Sequence, residues 1–193
     1  MRNTFDRFNG RHQDYQAARP SYAQEFLDWL GELYAPPERY TAADIGSGTG
    51  KLSAQLLAAG FRVCGVEPNP DMRGAAEALL GGDPRFSSSN GTDHDTGLPD
   101  RSVDMVAAAQ AFHWFDGPAF ARECRRILRP GGRAVLVWNV RGSAPMNQAL
   151  AQVFREHCPS FHGFTGGMGE DDPRIRDFFG GAYEKRRFPN PLT

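Results

Sequence analysis

The chain has 193 residues, 22 Lys+Arg against 23 Asp+Glu for a net charge of −1, and 40 % hydrophobic residues. That length suits one domain with a sizeable core, the charge balance excludes a strongly basic surface as a whole-chain feature, and the apolar content excludes disorder. Apolar runs fall short of the roughly 18 residues of a membrane span, and the polar start MRNTFDRFNGRHQ does not read as a signal peptide. Cys64, Cys124 and Cys158 form no CxxC pair, so neither a disulfide framework nor a metal site is expected. A reduced, cytoplasmic, soluble domain is the expectation.

In chain order, Tyr22, Phe26, Trp29, Leu30 and Leu33 recur at helical spacing until Pro36-Pro37 ends the pattern. Ala42 to Ile45 is apolar and leads into a glycine-rich turn; Leu52, Leu56 and Leu57 then predict a helix closed by Gly60. Phe61 to Val66 reads as a strand covered on both faces, and a helix follows from about Asp71 to Leu80. Phe86 to Ser88 and Val103 to Ala109 read as strands, and Phe120 to Leu128 as a helix stopped by Pro130-Gly131-Gly132. Arg133 to Asn139 is the clearest strand, Met146 to His157 a helix, and Pro159 to Pro173 a mobile loop. Alternation of this kind predicts a doubly wound α/β fold, a mostly parallel sheet with helices on both faces. One domain is expected, with an N-terminal segment 1–36, a core 37–158 and a C-terminal part 159–193.

In open α/β sheets, ligands bind at the carboxyl ends of the strands, so the residues after each strand carry the argument. After the first strand comes Asp44-Ile45-Gly46-Ser47-Gly48-Thr49-Gly50, in which glycines allow a tight turn and close approach of a ligand to the backbone. By itself such a turn can be purely structural. The second strand ends in Glu67-Pro68, the acid lying 21 residues beyond Gly46. An acid at about that separation accepts hydrogen bonds from ribose hydroxyls in mononucleotide-binding halves, the competing reading being a solvated surface acid. A buried Asp44 needs a dedicated partner, which a ligand with a cationic centre or N–H donors would provide.

The segments ADIGSGTGKLS (Ala43 to Ser53), VEPNPDM (Val66 to Met72), LPDRSVDMV (Leu98 to Val106) and ILRPGGRAVLVWN (Ile127 to Asn139) together resemble class I S-adenosylmethionine-dependent methyltransferases. More narrowly they are similar to the type 11 subgroup that includes trans-aconitate methyltransferase-like enzymes. The resemblance implies S-adenosylmethionine as cofactor and S-adenosylhomocysteine as product. It implies that Gly46, Ser47, Gly48 and Gly50 face the methionine part with Asp44 beneath them, that Glu67, followed by Pro68, holds the ribose hydroxyls, and that Thr92 and Asp93 lie at the adenine edge. Backbone near Gln110 would border the donated methyl, and Tyr15 and Arg19 would belong to a lid near the cofactor carboxylate. The subgroup has Asp or Thr followed by Ala-Glu at the adenine turn, where this chain has Asp93-His94.

Ala109 to Asp116 (AQAFHWFD) is where an acceptor should lie, with His113 either a catalytic base or a ring that fixes the loop, and Trp114 and Phe115 as pocket walls. An Asn/Asp-Pro-Pro-aromatic motif of base methylation is missing there, which with a pI near 6.5 speaks against nucleic acid as substrate. The arginines at 122, 125, 126, 129 and 133 read as a solvated face beside Glu123. Methyl transfer to an oxygen of a small molecule, a carboxylate or hydroxyl, is the expected activity. A cofactor-binding module without turnover and a nicotinamide-dependent dehydrogenase are the rivals, the latter disfavoured by the G-x-G-x-G spacing and by Pro68. Tyr183 to Phe188 (YEKRRF) alternates like the first strand of the family's C-terminal antiparallel hairpin, whose second strand would lie beyond Thr193. The expectation is a shortened form with an incomplete hairpin, able to self-associate through an open sheet edge.

Overall fold

The computed structural model describes residues 20–140, 145–158 and 168–190. Five strands, β1 (Thr41–Ile45), β2 (Arg62–Val66), β3 (Phe86–Ser89), β4 (Val103–Ala109) and β5 (Leu128–Val137), form one sheet in the order β3-β2-β1-β4-β5. Every pairing is parallel. The helices are α1 (Gln24–Leu33), α2 (Lys51–Ala58), α3 (Pro70–Leu80), α4 (Gly117–Ile127), α5 (Pro145–His157) and α6 (Pro173–Phe178). The chain reverses strand order between β1 and β4, and the crevice at that switch point is where an open α/β sheet takes its ligand.

Side chains alternate between two apolar layers, as the two-residue period of a strand requires. Ala42, Val63, Met105 and Ala107 face Phe26, Leu27 and Leu30 of α1 and Leu52, Leu56 and Leu57 of α2. Ala43, Ile45, Cys64, Val66, Val106 and Ala108 face Phe120, Cys124 and Ile127 of α4 and Ile175 and Phe178 of α6. Helices therefore cover both faces. Helix starts follow local chemistry. Asn69 caps α3 by accepting from the N–H of Met72 (3.0 Å), Asp116 caps α4 from Ala119 (3.0 Å), and Asp172 caps α6 from Arg174 (2.9 Å). Each is followed by a proline in the first turn, where its missing N–H costs nothing.

Several expectations need correction. β5 starts at Leu128, five residues before Arg133, because Pro130-Gly131-Gly132 is taken into the strand with a register irregularity against β4 between Val103 and Met105. α4 starts at Gly117 on its Asp116 cap rather than at Phe120. The loop expected over 159–173 is described only from Met168, and its end already belongs to α6, whose Asp172-Pro173 start is a cap signal.

Tyr183 to Phe188 forms no strand, and no antiparallel pair occurs among the described residues. Packing overrides the alternation there: Phe188 sits on Phe26 and Trp29 of α1, with ring centroids 5.9 Å from each. Arg186 stacks 5.0 Å over Trp29, and Lys185 pairs with Glu170 and Asp171. The segment is a strap across α1. On its far side β5 has no strand partner among the described residues.

Gly50 carries a left-handed φ of +82°, and a Cβ there would meet Leu80 Cδ1 at 2.9 Å and Ala76 Cβ at 3.1 Å, so its size sets the approach of α2 to α3. Gly50→Ala is expected to destabilise the protein by roughly 1–3 kcal/mol, combining the left-handed penalty with overpacking. Urea denaturation measures it, and an unchanged midpoint would refute the tight contact.

Candidate functional site

The turn after β1 is held by β2. Gly46 and Ser47 donate their N–H groups to the carbonyl of Val66 at 2.8 and 3.2 Å, and Gly50 N–H closes the turn on Ser47 O at 2.9 Å. A Cβ on Gly46 would lie 2.8 Å from Ala111 Cβ and 3.2 Å from Phe115 Cζ, so this glycine lets the β4 loop pack against the β1 loop. At Gly48, by contrast, a Cβ would meet nothing within 4 Å. Its φ of +57° shapes the turn, and the space beside it is open.

Two buried acids flank that turn. Asp44, 1 % exposed, accepts from the Ser53 hydroxyl at 2.7 Å. Burial pushes its carboxyl up to about 6, against the pull of the Ser53 hydroxyl and N–H, with the charge of Glu67 adding to the rise. Among the described residues the dedicated partner expected for Asp44 is Ser53, a neutral residue of α2. Glu67 accepts from Gly48 N–H through Oε2 and from Asn69 N–H through Oε1, both at 2.9 Å. Its carboxyl is raised by burial, with those two N–H groups and Arg73 pulling the other way. Pro68 between them is half-buried.

Beyond β3 the chain folds into a compact turn. Thr92 N–H donates to Asp95 O (2.8 Å) and Asp95 N–H to Thr92 Oγ1 (3.1 Å). The Asp93 carboxylate accepts the N–H of Asp116 at 3.1 Å and lies 3.1 Å from His94 Nδ1. Arg73 spans the strand ends, donating to Glu67 O at 2.8 Å and Asn90 Oδ1 at 3.0 Å. Arg122, Arg125, Arg129 and Arg133 are wholly or partly exposed, as a solvated face requires. Glu123 is not on that face: it is 6 % exposed and bonded to Thr96.

At the end of β4, Gln110 adopts φ +54°, an unfavourable region for a non-glycine residue. It is held there by its N–H to Val137 O (2.8 Å) and its Nε2 to Asn139 O (3.1 Å). Asn139 Nδ2 in turn reaches Ser21 O at 3.2 Å, and its Oδ1 accepts from Asn190 at 2.9 Å. His113 lies on the short turn Phe112–Trp114, half-buried, its ring 4.9 Å from that of Trp114. Trp114 is 48 % exposed, whereas Phe115 packs edge-on against Phe112 and Phe120. Phe115, one of the two expected walls, lies against the glycine turn.

Asp44, Gly46, Ser47, Gly48, Gly50, Glu67, Pro68, Thr92, Asp93, Gln110 and His113 therefore all sit at or just beyond the carboxyl ends of β1 to β4. Tyr15 and Arg19 lie outside the described residues. Sequence reasoning missed Ser53, Arg73, Thr96, Glu123 and Asn139. Only Glu123 carried a signal, its position among Phe120, Cys124 and Ile127 on the buried arc of α4. Among the described residues no group of three or more His, Cys, Asp or Glu could hold a metal, and no helix is long and apolar enough to cross a membrane. A shallow groove of about 500 Å³, lined by Gln24, Leu27, Ala35 and Ala59, runs along α1.

A five-stranded parallel sheet with a glycine turn and two buried acids at its carboxyl edge defines the doubly wound, Rossmann-like class of fold. The comparisons narrow that class. Residues 43–136 match the family model for a methyltransferase domain. An uncharacterized methyltransferase of Mycobacterium tuberculosis is 42 % identical over 127 residues, covering 66 % of this chain and 49 % of that protein. A Schizosaccharomyces pombe relative, also an uncharacterized methyltransferase, is 31 % identical over 147 residues, covering 75 % of this chain and 57 % of its own. A solved structure of a candidate type II methyltransferase from Anaeromyxobacter dehalogenans aligns with a TM-score of 0.58 at 33 % identity, over 91 % of this chain and 69 % of that one. The chain belongs to the class I S-adenosylmethionine-dependent methyltransferases. It spans about half the length of the curated relatives it matches.

An acid whose folded-state pKa lies above its ordinary value costs stability once ionised. For Asp44 the penalty is absent below the ordinary 3.8 and complete above about 6. Asp44→Asn keeps an oxygen for Ser53 and cannot ionise. Its melting temperature is therefore expected to gain on that of the parent as pH rises from about 4 to about 8. A gap that stays constant across that range would refute the assignment.

Proposed function

We propose that the chain binds S-adenosylmethionine at the carboxyl ends of β1, β2 and β4 and directs its methyl group to an oxygen, a carboxylate or hydroxyl, of a small molecule. The observation that carries this reading is Glu67. Both its oxygens already hold backbone N–H groups of the glycine turn and of α3, which aims the carboxylate along the strand edge with acceptor capacity to spare. That arrangement suits a pair of vicinal ribose hydroxyls. Open space beside Gly48 fits close passage of the rest of a nucleoside ligand. Asp44, ionised and with no basic partner among the described residues, favours a cationic ligand group near the turn. The resemblance adds Tyr15 and Arg19 near the cofactor carboxylate.

When bound, the cofactor supplies an electrophilic methyl on a sulfonium. The protein's share of the chemistry is alignment and exclusion of water at the β4 loop. Gln110, pinned by two bonds to the β5 strand and its end, holds the backbone of that loop at a set height. His113 is half-buried on the same loop; as a base it would take a proton from a hydroxyl acceptor, whereas a carboxylate acceptor needs none.

Glu67→Gln tests the first half. It keeps the size of the side chain and loses charge-assisted bonds worth roughly 1.5–3 kcal/mol each. Calorimetry is expected to show S-adenosylhomocysteine affinity down at least about tenfold. The chain still folds but melts below the parent, because glutamine turns one of the two accepting oxygens into an NH2 group facing the N–H of Gly48 or Asn69. Unaltered affinity would remove Glu67 from the site.

His113→Ala tests the second half, in an acceptor screen with cofactor labelled on the methyl. If His113 is a base, turnover falls by about 10²–10⁴ while cofactor affinity holds. If affinity and stability fall together, the ring only fixes the loop. Binding of cofactor with no labelled product from any oxygen acceptor would overturn the transfer reading, and a chain that takes up NADH instead would overturn the cofactor.

A further inference from the structure

Thr96 lies four residues past Thr92 and closes the turn that carries Thr92, Asp93 and His94. Its carbonyl accepts the Ser89 hydroxyl at 2.8 Å, which ties it to the end of β3. Gly91 packs so tightly on it that a Cβ at that position would come within 2.5 Å of Thr96 O. Its Oγ1 accepts the N–H of Leu98 at 3.2 Å. The turn is thus a small loop with Thr96 as its base.

That base is mounted on α4. Glu123 Oε1 accepts both the N–H of Thr96 (2.9 Å) and its hydroxyl (2.6 Å). The other side of the carboxylate is held by Arg126, whose Nε reaches Oε2 at 2.8 Å and whose Nη2 reaches Oε1 at 2.7 Å. Arg126 Nη1 goes on to Asp100 at 2.6 Å. Burial alone would raise the Glu123 carboxyl; Arg126 and Thr96 together outweigh it and hold it at about 2. At neutral pH the mount is therefore charged. A second tie runs between the same two elements: Asp93, at the tip of the turn, accepts the N–H of Asp116, the cap of α4.

Neither Thr96 nor Glu123 lies on the open edge; both are buried, at 0 % and 6 % exposure. A carboxylate with four donors in an apolar helix face is costly to build for a surface turn of no use. We infer that Glu123 is a positioning residue acting through Thr96: it sets the height of the Thr92–Asp95 turn over the strand edge, and so the selection of the purine's 6-amino group at that turn. This rests on the cofactor reading above, with the adenine edge at Thr92 and Asp93 as the resemblance implies, and adds two residues that touch no ligand themselves.

The test compares S-adenosylhomocysteine with its analogue lacking the 6-amino group, by calorimetry on the full chain. Thr96→Val keeps volume and the backbone bond but loses the hydroxyl; Glu123→Gln loses the charge; Thr96→Ser keeps the hydroxyl. The parent and Thr96→Ser are expected to prefer the amino compound. Thr96→Val and Glu123→Gln are expected to lose that preference by about fivefold or more. If Glu123→Gln does not fold, Thr96→Val decides alone, being the gentler change. Equal weakening of both ligands, or no weakening, overturns the positioning role and leaves a structural clamp. A parent that binds both compounds equally overturns it too, with the cofactor reading intact. A parent that binds neither overturns the cofactor reading and this inference with it.

Discussion

Glu67 occupies the end of β2 with one oxygen on the N–H of Gly48 and the other on the N–H of Asn69. Those two amides belong to the turn after β1 and to the cap of α3, so a single carboxylate holds three segments in register. Parallel strands give such an acid its leverage, because all of them end on the same edge and their loops crowd together there. Arg73 extends the tie to β3 by bridging Glu67 O and Asn90. Gly46 and Ser47 bond the start of the glycine turn to Val66 of β2, and Glu67 fixes its far side at Gly48.

Three buried acids meet the cost of burial in three ways. Asp44 has a hydroxyl and an N–H from Ser53 and stays electrostatically short, with its carboxyl at about 6. Glu67 has two backbone amides and a more distant guanidinium, and it too is raised by burial. Glu123 has a guanidinium and a threonine, and falls to about 2. The first two line the candidate ligand edge and gain from a polar or cationic ligand. The third is satisfied internally, as a residue with a positioning task should be.

The loops at the carboxyl edge are coupled rather than independent. The β1 turn packs on the β4 loop where Gly46 meets Ala111 and Phe115. The turn after β3 is bolted to α4 at Asp93 and Thr96. Gln110 hangs on β5, and Asn139 just past the end of β5 gathers Ser21 and Asn190. A displacement of one loop is thereby felt in the others, since packed contacts of this kind transmit strain.

Legibility in the sequence follows the range of the interaction. β1 to β4 and the helices between them are readable from periodicity, and the candidate ligand edge from glycines and acids at fixed distances along the chain. Those signals are local: a strand's two-residue period and the short step from strand to turn are written in neighbouring residues. Asp44, Glu67 and the glycine turn are legible for the same reason. What only the tertiary structure decides is who partners whom. Ser53 meets Asp44 across the start of α2, Thr96 meets Glu123 across 27 positions, and Asn139 meets Ser21 across 118. Tyr183 to Phe188 alternates like a strand yet lies as a strap, because Phe26 and Trp29 offer its Phe188 an apolar seat. Backbone pattern is a property of adjacent residues, whereas burial and hydrogen-bond pairing depend on which distant surfaces the fold brings together.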